Sequence, residues 1–189
     1  LELREEAVAL DKLAAEAIRG LREASSAAGV TVDLTPAAGG VMVLGDPLRL
    51  RQVLDNLLSN AVKFTPAGGR IEVAVERLTD GHTVVVVTDT GIGIPAGDLD
   101  RVFLPFEQSD SRHARQAQGT GLGLPLVRQL VERHGGTVRM SSEPGSGTEV
   151  VVELPPERAL PMGGDAGMIP RTVAAGAAAH PSSLPRIQR

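Results

Sequence analysis

The feature that most constrains the fold is an apolar segment that leads directly into a carboxylate and a glycine-rich loop. Thr83 to Thr88 contains four consecutive valines, which predicts a strand buried on both faces at the centre of a sheet. It follows a second apolar segment, 71–78, across Asp80-Gly81, a dipeptide typical of tight hairpins. The chain is therefore expected to contain a sheet whose central strand ends at Asp89.

Composition excludes several function classes. The chain has 189 residues with 19 Lys and Arg against 23 Asp and Glu, a formal charge of −4, so it lacks the basic field that would hold nucleic acid or an anionic membrane. With no cysteine and four histidines, disulfides, thiol catalysis and cysteine-ligated zinc are excluded and a histidine metal cluster is disfavoured. No apolar run approaches the ~20 residues of a membrane helix. We expect no nucleic acid partner and no direct membrane contact.

Apolar spacing predicts three long helices among short strands. Asp46 followed by Pro47 supplies an N-cap and a first-turn proline for the second helix. The helices are predicted over 8–28, 47–64 and 124–133, with a short helix over 97–103. The remaining strands are predicted over 30–34, 41–44, 137–141 and 148–154. Helices interspersed among hairpins indicate the α+β class: a two-layer α/β sandwich with a mixed sheet and its helices on one face.

The composition changes after Leu154. Proline, glycine and alanine dominate the last 35 residues, and no apolar periodicity remains. We expect a single domain over residues 1–154 and a disordered tail or linker over residues 155–189.

Three polar residues recur along the border of the second helix. Asn56, Asn60 and Lys63 are spaced i, i+4, i+7, which places two amides and an ammonium in one line. Amide oxygens suit Mg²⁺, which shares its coordination with substrate phosphates, and a lysine can neutralise phosphate charge. The alternative is the solvated polar flank of an ordinary helix.

A glycine-containing loop follows the buried strand, in the sequence Asp-Thr-Gly-Ile-Gly-Ile-Pro from Asp89. Asp89 can accept a hydrogen bond from an exocyclic amine, and Gly91 and Gly93 allow the backbone to approach a flat base. The alternatives are a plain glycine turn and a loose dinucleotide fingerprint, the latter weakened because Pro95 interrupts the expected helix start.

A second glycine-rich segment, 119–124, runs directly into the third long helix. Backbone N–H groups at such a junction and the helix dipole favour an anion, so the segment would suit a polyphosphate. It is not a P-loop, because no Gly-Lys-Ser/Thr follows. The alternative is a glycine hinge.

In this order the motifs resemble the ATP-binding catalytic domain of the sensor histidine kinases, within the GHKL superfamily that includes gyrase, the heat-shock chaperone ATPases and the mismatch-repair ATPases. The resemblance covers about residues 1–154 and implies the Bergerat-type ATP-binding fold. The N box matches 56–65, the first glycine box 89–95, the F box 103–106 and the second glycine box 119–124.

The resemblance implies a role for each matching residue. Asn60, with help from Asn56, would hold Mg²⁺, and Lys63 would contact the phosphates; these three are the implied catalytic residues. Asp89 would bind the adenine amino group, supported through water by Thr148. Segment 107–118 would be the ATP lid. The further implied nucleotide-binding residues are Phe64, Gly91, Gly93, Ile94, Phe106, Arg112, Arg115, Gly119, Thr120, Gly121, Leu122, Gly123 and Leu124.

The residue four positions before the metal asparagine bears on the reaction. Hydrolytic members of the larger group carry a glutamate there, whereas this chain has Asn56. An amide cannot act as a general base, so the resemblance implies phosphoryl transfer to a protein rather than efficient hydrolysis. Two alternatives stay open: an ATP-binding docking module without transfer activity, and a serine kinase of the anti-sigma-factor type.

The phosphate acceptor is expected outside this sequence. None of the four histidines lies in the acidic helical context of the family's acceptor, and we expect a capping or packing role for His134. The implied partners are a dimerisation domain that bears the acceptor histidine, in a homodimeric parent, and a downstream response regulator. This fragment is expected to be a monomeric cytoplasmic domain, with membrane anchoring of the parent left open.

Overall fold

The computed structural model describes residues 2–104 and 122–161. The strands are β1 (Glu6–Ala9), β2 (Thr31–Thr35), β3 (Met42–Gly45), β4 (Arg70–Arg77), β5 (Thr83–Asp89), β6 (Thr137–Glu143), β7 (Gly147–Leu154) and β8 (Ala159–Leu160). The α-helices are α1 (Leu10–Gly20), α2 (Arg22–Ala28), α3 (Pro47–Phe64) and α4 (Gly123–Arg133). Short 3-10 helices span Ala96–Asp98, Arg101–Phe103 and Pro156–Arg158.

The main sheet has five strands in the order β2-β4-β5-β7-β6. Strand β2 runs parallel to β4 and the other pairs are antiparallel, so the sheet is mixed as predicted. The valine-rich strand β5 is central, and Val84 to Val87 are all buried. Alternation along β4 leaves Ile71, Val73 and Val75 with no exposed surface, on the face that packs against the helices.

The helices form one layer over this sheet, which confirms the predicted two-layer α+β fold. Helix α3 begins as its sequence indicates, because the Asp46 side chain accepts a hydrogen bond from the Arg49 amide at 3.1 Å. Its buried stripe is Leu50, Val53, Leu54, Leu57, Leu58 and Ala61. Within residues 2–104 and 122–161, no helix has the length and apolar character needed to cross a bilayer.

The prediction of one helix over residues 8–28 is wrong at both its start and its middle. Val8 and Ala9 belong to β1 and pair with Val43 and Met42, because these residues complete a small sheet. The helical segment then breaks at Leu21 after Gly20, a poor helix former. Similarly, the short helix predicted over 97–103 is two separate 3-10 helices.

A second, three-stranded sheet with the order β1-β3-β8 was not predicted. Its last strand lies in the segment expected to be a tail: Leu160 and Ala159 pair with Met42 and Val43, and Arg77 donates hydrogen bonds to the carbonyls of Met42 and Leu160. Residues 155–161 thus include a 3-10 helix and strand β8, for which the sequence shows no pattern because main-chain pairing does not require one. The remainder of the predicted tail, 162–189, lies outside the described residues.

Candidate functional site

Asp89 ends the central strand and faces the helix layer. It shares its face with Val85 and Val87, because side chains alternate along a strand. The residue is 8% exposed, and its Oδ1 accepts hydrogen bonds from the amides of Gly91 at 2.8 Å and Thr148 at 3.3 Å. The carboxylate is therefore held in one orientation on the floor of the site.

The electrostatics of Asp89 suit a hydrogen-bond donor on a ligand. Burial raises the pKa of its carboxyl above the usual value, while the amides of Gly91 and Thr148 work in the opposite direction. A carboxylate has about four lone-pair positions, so two amides leave acceptor capacity for a ligand amine. An amine that approaches Asp89 would therefore find a poorly solvated negative charge.

The loop after Asp89 packs so tightly that two of its positions require glycine. A Cβ at Gly91 would lie 2.6 Å from both Oδ1 of Asp89 and the carbonyl oxygen of Phe64. Gly93 has a φ of +69° and would clash with the carbonyl of Glu143 if it carried a side chain. Both glycines thus keep the backbone close to the floor carboxylate and to the last hairpin.

Ser142, which the sequence analysis did not identify, anchors this loop. Its hydroxyl accepts a hydrogen bond from the Ile94 amide at 2.8 Å and lies 2.8 Å from both the Gly147 carbonyl and the Thr148 hydroxyl. Ser142 pairs with Thr148 in the β6–β7 register. The pairing of these two strands was the one signal that could have identified Ser142, because it places Ser142 beside Thr148, a predicted site residue.

The two predicted metal-binding asparagines lie against the start of α4. A Cβ at Gly123 would be 3.2 Å from Oδ1 of Asn56 and 3.7 Å from Nδ2 of Asn60. The Nδ2 group of Asn56 donates to the Gln52 carbonyl at 2.8 Å, which fixes the amide and directs its oxygen toward α4. The structure therefore brings together the N box and the last glycine of the second glycine box.

The last turn of α3 joins these amides to the glycine loop. The carbonyl of Phe64, one turn after Asn60, accepts a hydrogen bond from the Ile92 amide at 3.1 Å. The Lys63 ammonium lies 4.9 Å from the centre of the Phe64 ring, and burial lowers the pKa of Lys63. The asparagines and the floor carboxylate are thus parts of one continuous region.

Several predicted residues lie outside the described part of the chain. They are Phe106, Arg112, Arg115, Gly119, Thr120 and Gly121, together with the predicted lid. Leu122 precedes α4 and is 40% exposed, whereas Leu124 packs against the core. Phe103, the first F-box residue, is buried, with the Arg128 guanidinium 4.3 Å from its ring centre.

The donor set fits a magnesium nucleotide. In the described segments no group of three or more His, Asp or Glu side chains could hold a metal ion. The neutral oxygens of Asn56 and Asn60 could supply only part of a magnesium shell, which suits an ion that takes its other ligands from phosphates and water. The close approach of Gly91 to Asp89 leaves backbone rather than side chains beside the floor, which fits a flat base.

The sequence matches the profile of a family described as histidine kinase-, DNA gyrase B- and HSP90-like ATPases. The match runs over residues 45–158, more than half of the chain. It begins one residue before the N-cap of α3 and ends with the last 3-10 helix. All of the described site residues lie inside it.

Two relatives come from Caulobacter vibrioides. The non-motile and phage-resistance protein is 43% identical over 159 residues, which cover 82% of this chain and 19% of the relative. Histidine protein kinase DivJ is 45% identical over 139 residues, which cover 74% of this chain and 23% of that kinase. The chain therefore spans about a fifth of the length of these relatives.

The fold also matches solved structures, a sensor histidine kinase among them. The mycobacterial sensor histidine kinase MprB matches with a TM-score of 0.70 and 30% identity, covering 84% of this chain and 99% of that one. Full-length ShkA in complex with AMPPNP matches with a TM-score of 0.74 and 28% identity, covering 86% of this chain and 33% of ShkA. The chain belongs to the histidine kinase-, DNA gyrase B- and HSP90-like ATPase family, and its fold is that of the ATP-binding catalytic domain of sensor histidine kinases.

Proposed function

We propose that this chain binds Mg-ATP and transfers the γ-phosphoryl group to a histidine on a dimerisation domain that the sequence does not contain. The observation that most supports this proposal is the continuity of the candidate site. Asp89 is held by the Gly91 amide, Gly91 packs against Phe64, and Phe64 lies one turn beyond Asn60 on α3. An adenine bound by the carboxylate and a magnesium phosphate bound by the two amides would thus be parts of a single nucleotide.

Each side chain has a distinct task in this proposal. Asp89 accepts the hydrogen bond of the adenine amino group, and Thr148 holds the carboxylate in place. Asn56 and Asn60 supply neutral oxygens to Mg²⁺, which neutralises phosphate charge when it is bound. Lys63 is the nearby cation at the end of α3, where it would meet phosphate oxygens.

The residue at position 56 supports transfer rather than hydrolysis. Activation of water requires a base, and the amide of Asn56 binds no proton at neutral pH. Its Nδ2 group is in addition occupied by the Gln52 carbonyl. Catalysis would therefore depend on positioning and charge neutralisation, and the nucleophile would be a protein side chain.

The proposed partners follow from the reaction. The acceptor histidine would lie on the dimerising helices of a homodimeric parent kinase, and a response regulator would take the phosphoryl group from it. The chain itself would work as a monomeric unit on the cytoplasmic side, where ATP is available, whether or not the parent is anchored in a membrane.

Calorimetry tests the nucleotide site first. The chain would be titrated with a non-hydrolysable ATP analogue, with and without Mg²⁺, as wild type and as Asp89→Asn. We expect micromolar binding that Mg²⁺ strengthens and that the substitution largely removes. A folded wild-type chain that binds no analogue would contradict the proposal.

The parent kinase tests the transfer step. Radiolabelled γ-phosphate should appear on its dimerisation domain as an acid-labile, alkali-stable product, the behaviour of phosphohistidine. An acid-stable product would instead indicate a serine kinase of the same fold. ATP binding without any labelled protein would indicate a docking module that has lost transfer activity.

A further inference from the structure

Arg158 joins three separate elements at the end of the molecule remote from the asparagines. Its Nε donates to the His134 carbonyl at 3.0 Å, at the end of α4, and its Nη1 donates to the Leu44 carbonyl of β3 at 3.2 Å. The same Nη1 forms an ion pair with the carboxylate of Glu5, just before β1. The guanidinium side chain is only 19% exposed, so water competes weakly for these contacts.

His134 extends this contact network to the start of α3. The buried imidazole accepts a hydrogen bond at Nε2 from the Asp46 amide at 3.1 Å, while its Nδ1 lies 2.8 Å from the Leu130 carbonyl and therefore carries the proton. The burial and hydrogen bonds of His134 fit the capping or packing role expected for it from the sequence. The carboxylate of Asp46 also accepts from the Arg4 amide at 3.0 Å. We call Glu5, Asp46, His134 and Arg158 the latch.

The latch and the candidate site lie at opposite ends of one helix pair. Helix α4 runs antiparallel to α3: its end meets Asp46 through His134, and its start at Gly123 meets Asn56 and Asn60. Eleven residues separate Gly123 from His134, a rise of ~16 Å. A packed helix moves nearly as a rigid body, so a shift at the latch would displace Gly123 relative to the asparagines. A Cβ added at Gly123 would lie 3.2 Å from Oδ1 of Asn56, so the start of α4 packs closely against the asparagines and such a shift would alter their surroundings.

We propose that Arg158 is a positioning residue for nucleotide binding. It fixes α4 against α3, and it couples the asparagine site to residues 2–5 before β1, which we call the entering segment. Glu5 is the point at which this entering segment contributes to the latch. The proposal rests on the nucleotide-binding function proposed above. It predicts that nucleotide affinity responds to a change at the far end of α4, ~16 Å along the helix from Gly123.

The test compares Arg158→Ala with Arg77→Ala in this chain. Arg77 is a matched control. Its side chain also donates two hydrogen bonds to backbone carbonyls of the small sheet, and these two bonds reach neither α4 nor the entering segment. We expect Arg158→Ala to weaken binding of the non-hydrolysable ATP analogue by about 3- to 30-fold, a range typical of coupled positions remote from a ligand. Arg77→Ala should bind like wild type. Equal affinity of wild type and Arg158→Ala would overturn the proposal.

Hydrogen exchange supplies a readout that needs no nucleotide. Arg158→Ala should accelerate amide exchange at residues 126–130, the first hydrogen-bonded amides of α4, whereas Arg77→Ala should not. Unchanged exchange there would contradict the latch even if the chain binds ATP. If the wild-type chain binds no analogue but Arg158→Ala still shows accelerated exchange, only the proposed nucleotide binding would be contradicted.

Milder variants keep the test decisive if Arg158→Ala folds poorly. Arg158→Lys retains the charge but lacks the fork that reaches two carbonyls and a carboxylate, so it should restore affinity only in part. Glu5→Gln removes only the ion pair and should shift exchange at 126–130 in the same direction by a smaller amount. Wild-type analogue affinity of Arg158→Lys together with unchanged amide exchange in Glu5→Gln would overturn the proposal.

Discussion

Thr148 and Asp89 lie directly opposite each other on neighbouring antiparallel strands, and the Thr148 amide donates a hydrogen bond to Oδ1 of Asp89 at 3.3 Å. The pairing holds a carboxylate in the apolar interior, where burial raises its pKa. Such an arrangement favours ligand binding over stability. Because the carboxyl has a raised pKa in the folded state, its ionisation makes the fold less stable as the pH rises above the ordinary aspartate pKa of about 4.

Asp89→Asn should therefore separate binding from stability. We expect a loss of ATP-analogue affinity of about 1.5 to 3 kcal/mol, because a charge-assisted hydrogen bond becomes a neutral one. The melting temperature of the nucleotide-free chain should stay the same or rise, because the amide oxygen can still accept from Gly91 and Thr148. Calorimetry and thermal unfolding measure the two effects. Glu149→Gln removes a carboxylate from the other face of the sheet and should change neither; an equal effect of both variants would contradict this account.

Gly147→Ala should damage the site through the backbone of Asp89. Gly147 has a φ of +104°, and a Cβ there would clash with the Asp89 carbonyl, so the strand end must move. Gly145 in the same turn has a φ of +81° but no atom within 4 Å of a Cβ, which makes Gly145→Ala the control. We expect a stability loss of about 1 to 2 kcal/mol for Gly145→Ala from the left-handed backbone alone, measured by chemical denaturation. Gly147→Ala should lose more and should also lose nucleotide affinity; equal losses would contradict the steric argument.

Asn60→Ala should abolish magnesium-dependent transfer while the fold survives. The side chain lies half-buried on the border of α3, so its removal leaves the core stripe intact, and alanine favours the helix. Transfer assays over a range of Mg²⁺ concentrations, with circular dichroism as a folding check, measure the effect. Ser59→Ala, on the adjacent exposed position, should transfer normally. Full transfer by Asn60→Ala would refute the metal assignment.

The latch should make stability depend on pH near neutrality. Burial lowers the pKa of His134, although its bond to Leu130 acts in the other direction, and the charged groups around it are Arg158, Asp46 and Glu5. The unfolded state then binds more protons than the folded state, so the free energy of unfolding should fall as pH drops below about 6.5, by at most about 1.4 kcal/mol per pH unit.

His134→Gln supplies the control for this pH dependence. Glutamine can accept from the Asp46 amide but does not titrate, so the free energy of unfolding of His134→Gln should fall less between pH 7 and 5 than that of wild type. The carboxyl of Asp46 titrates below this window: burial opposes the change, but the amides of Arg4 and Arg49 hold its pKa below the usual value. Equal slopes in wild type and His134→Gln over this range would exclude His134 as the cause.

The sequence predicted those parts of the fold that bury long apolar patterns. Helix α3 carries its own N-cap and stripe, and β5 reads as a central strand because both of its faces are buried. The small β1-β3-β8 sheet escaped prediction, since strands of two to four residues are held by main-chain pairing rather than by a periodic pattern. The break at Leu21 escaped because the apolar spacing continues through it.

The candidate site was predictable only where chemistry requires a residue type. Asp89 and Gly91 follow from a carboxylate and a close backbone approach at a strand end, whereas Ser142 acts through a cross-strand position that no local pattern marks. Arg158 likewise gains two of its three contacts, those with Glu5 and Leu44, from segments more than a hundred residues away in the chain. The contacts of such residues depend on how distant segments of the chain pair, and no pattern among neighbouring residues reveals that pairing.

The alternation of β5 has a consequence for how sequences of this kind can change in length. Asp89 faces the helix layer because it lies two and four residues beyond Val87 and Val85. Insertion of one residue within β5 would turn the carboxylate to the opposite face while leaving every valine buried on one side or the other. Insertions and deletions should therefore accumulate in the hairpin turn at 79–82 rather than within the strand. The number of residues between the turn and Asp89 should therefore vary less than the identity of any one valine.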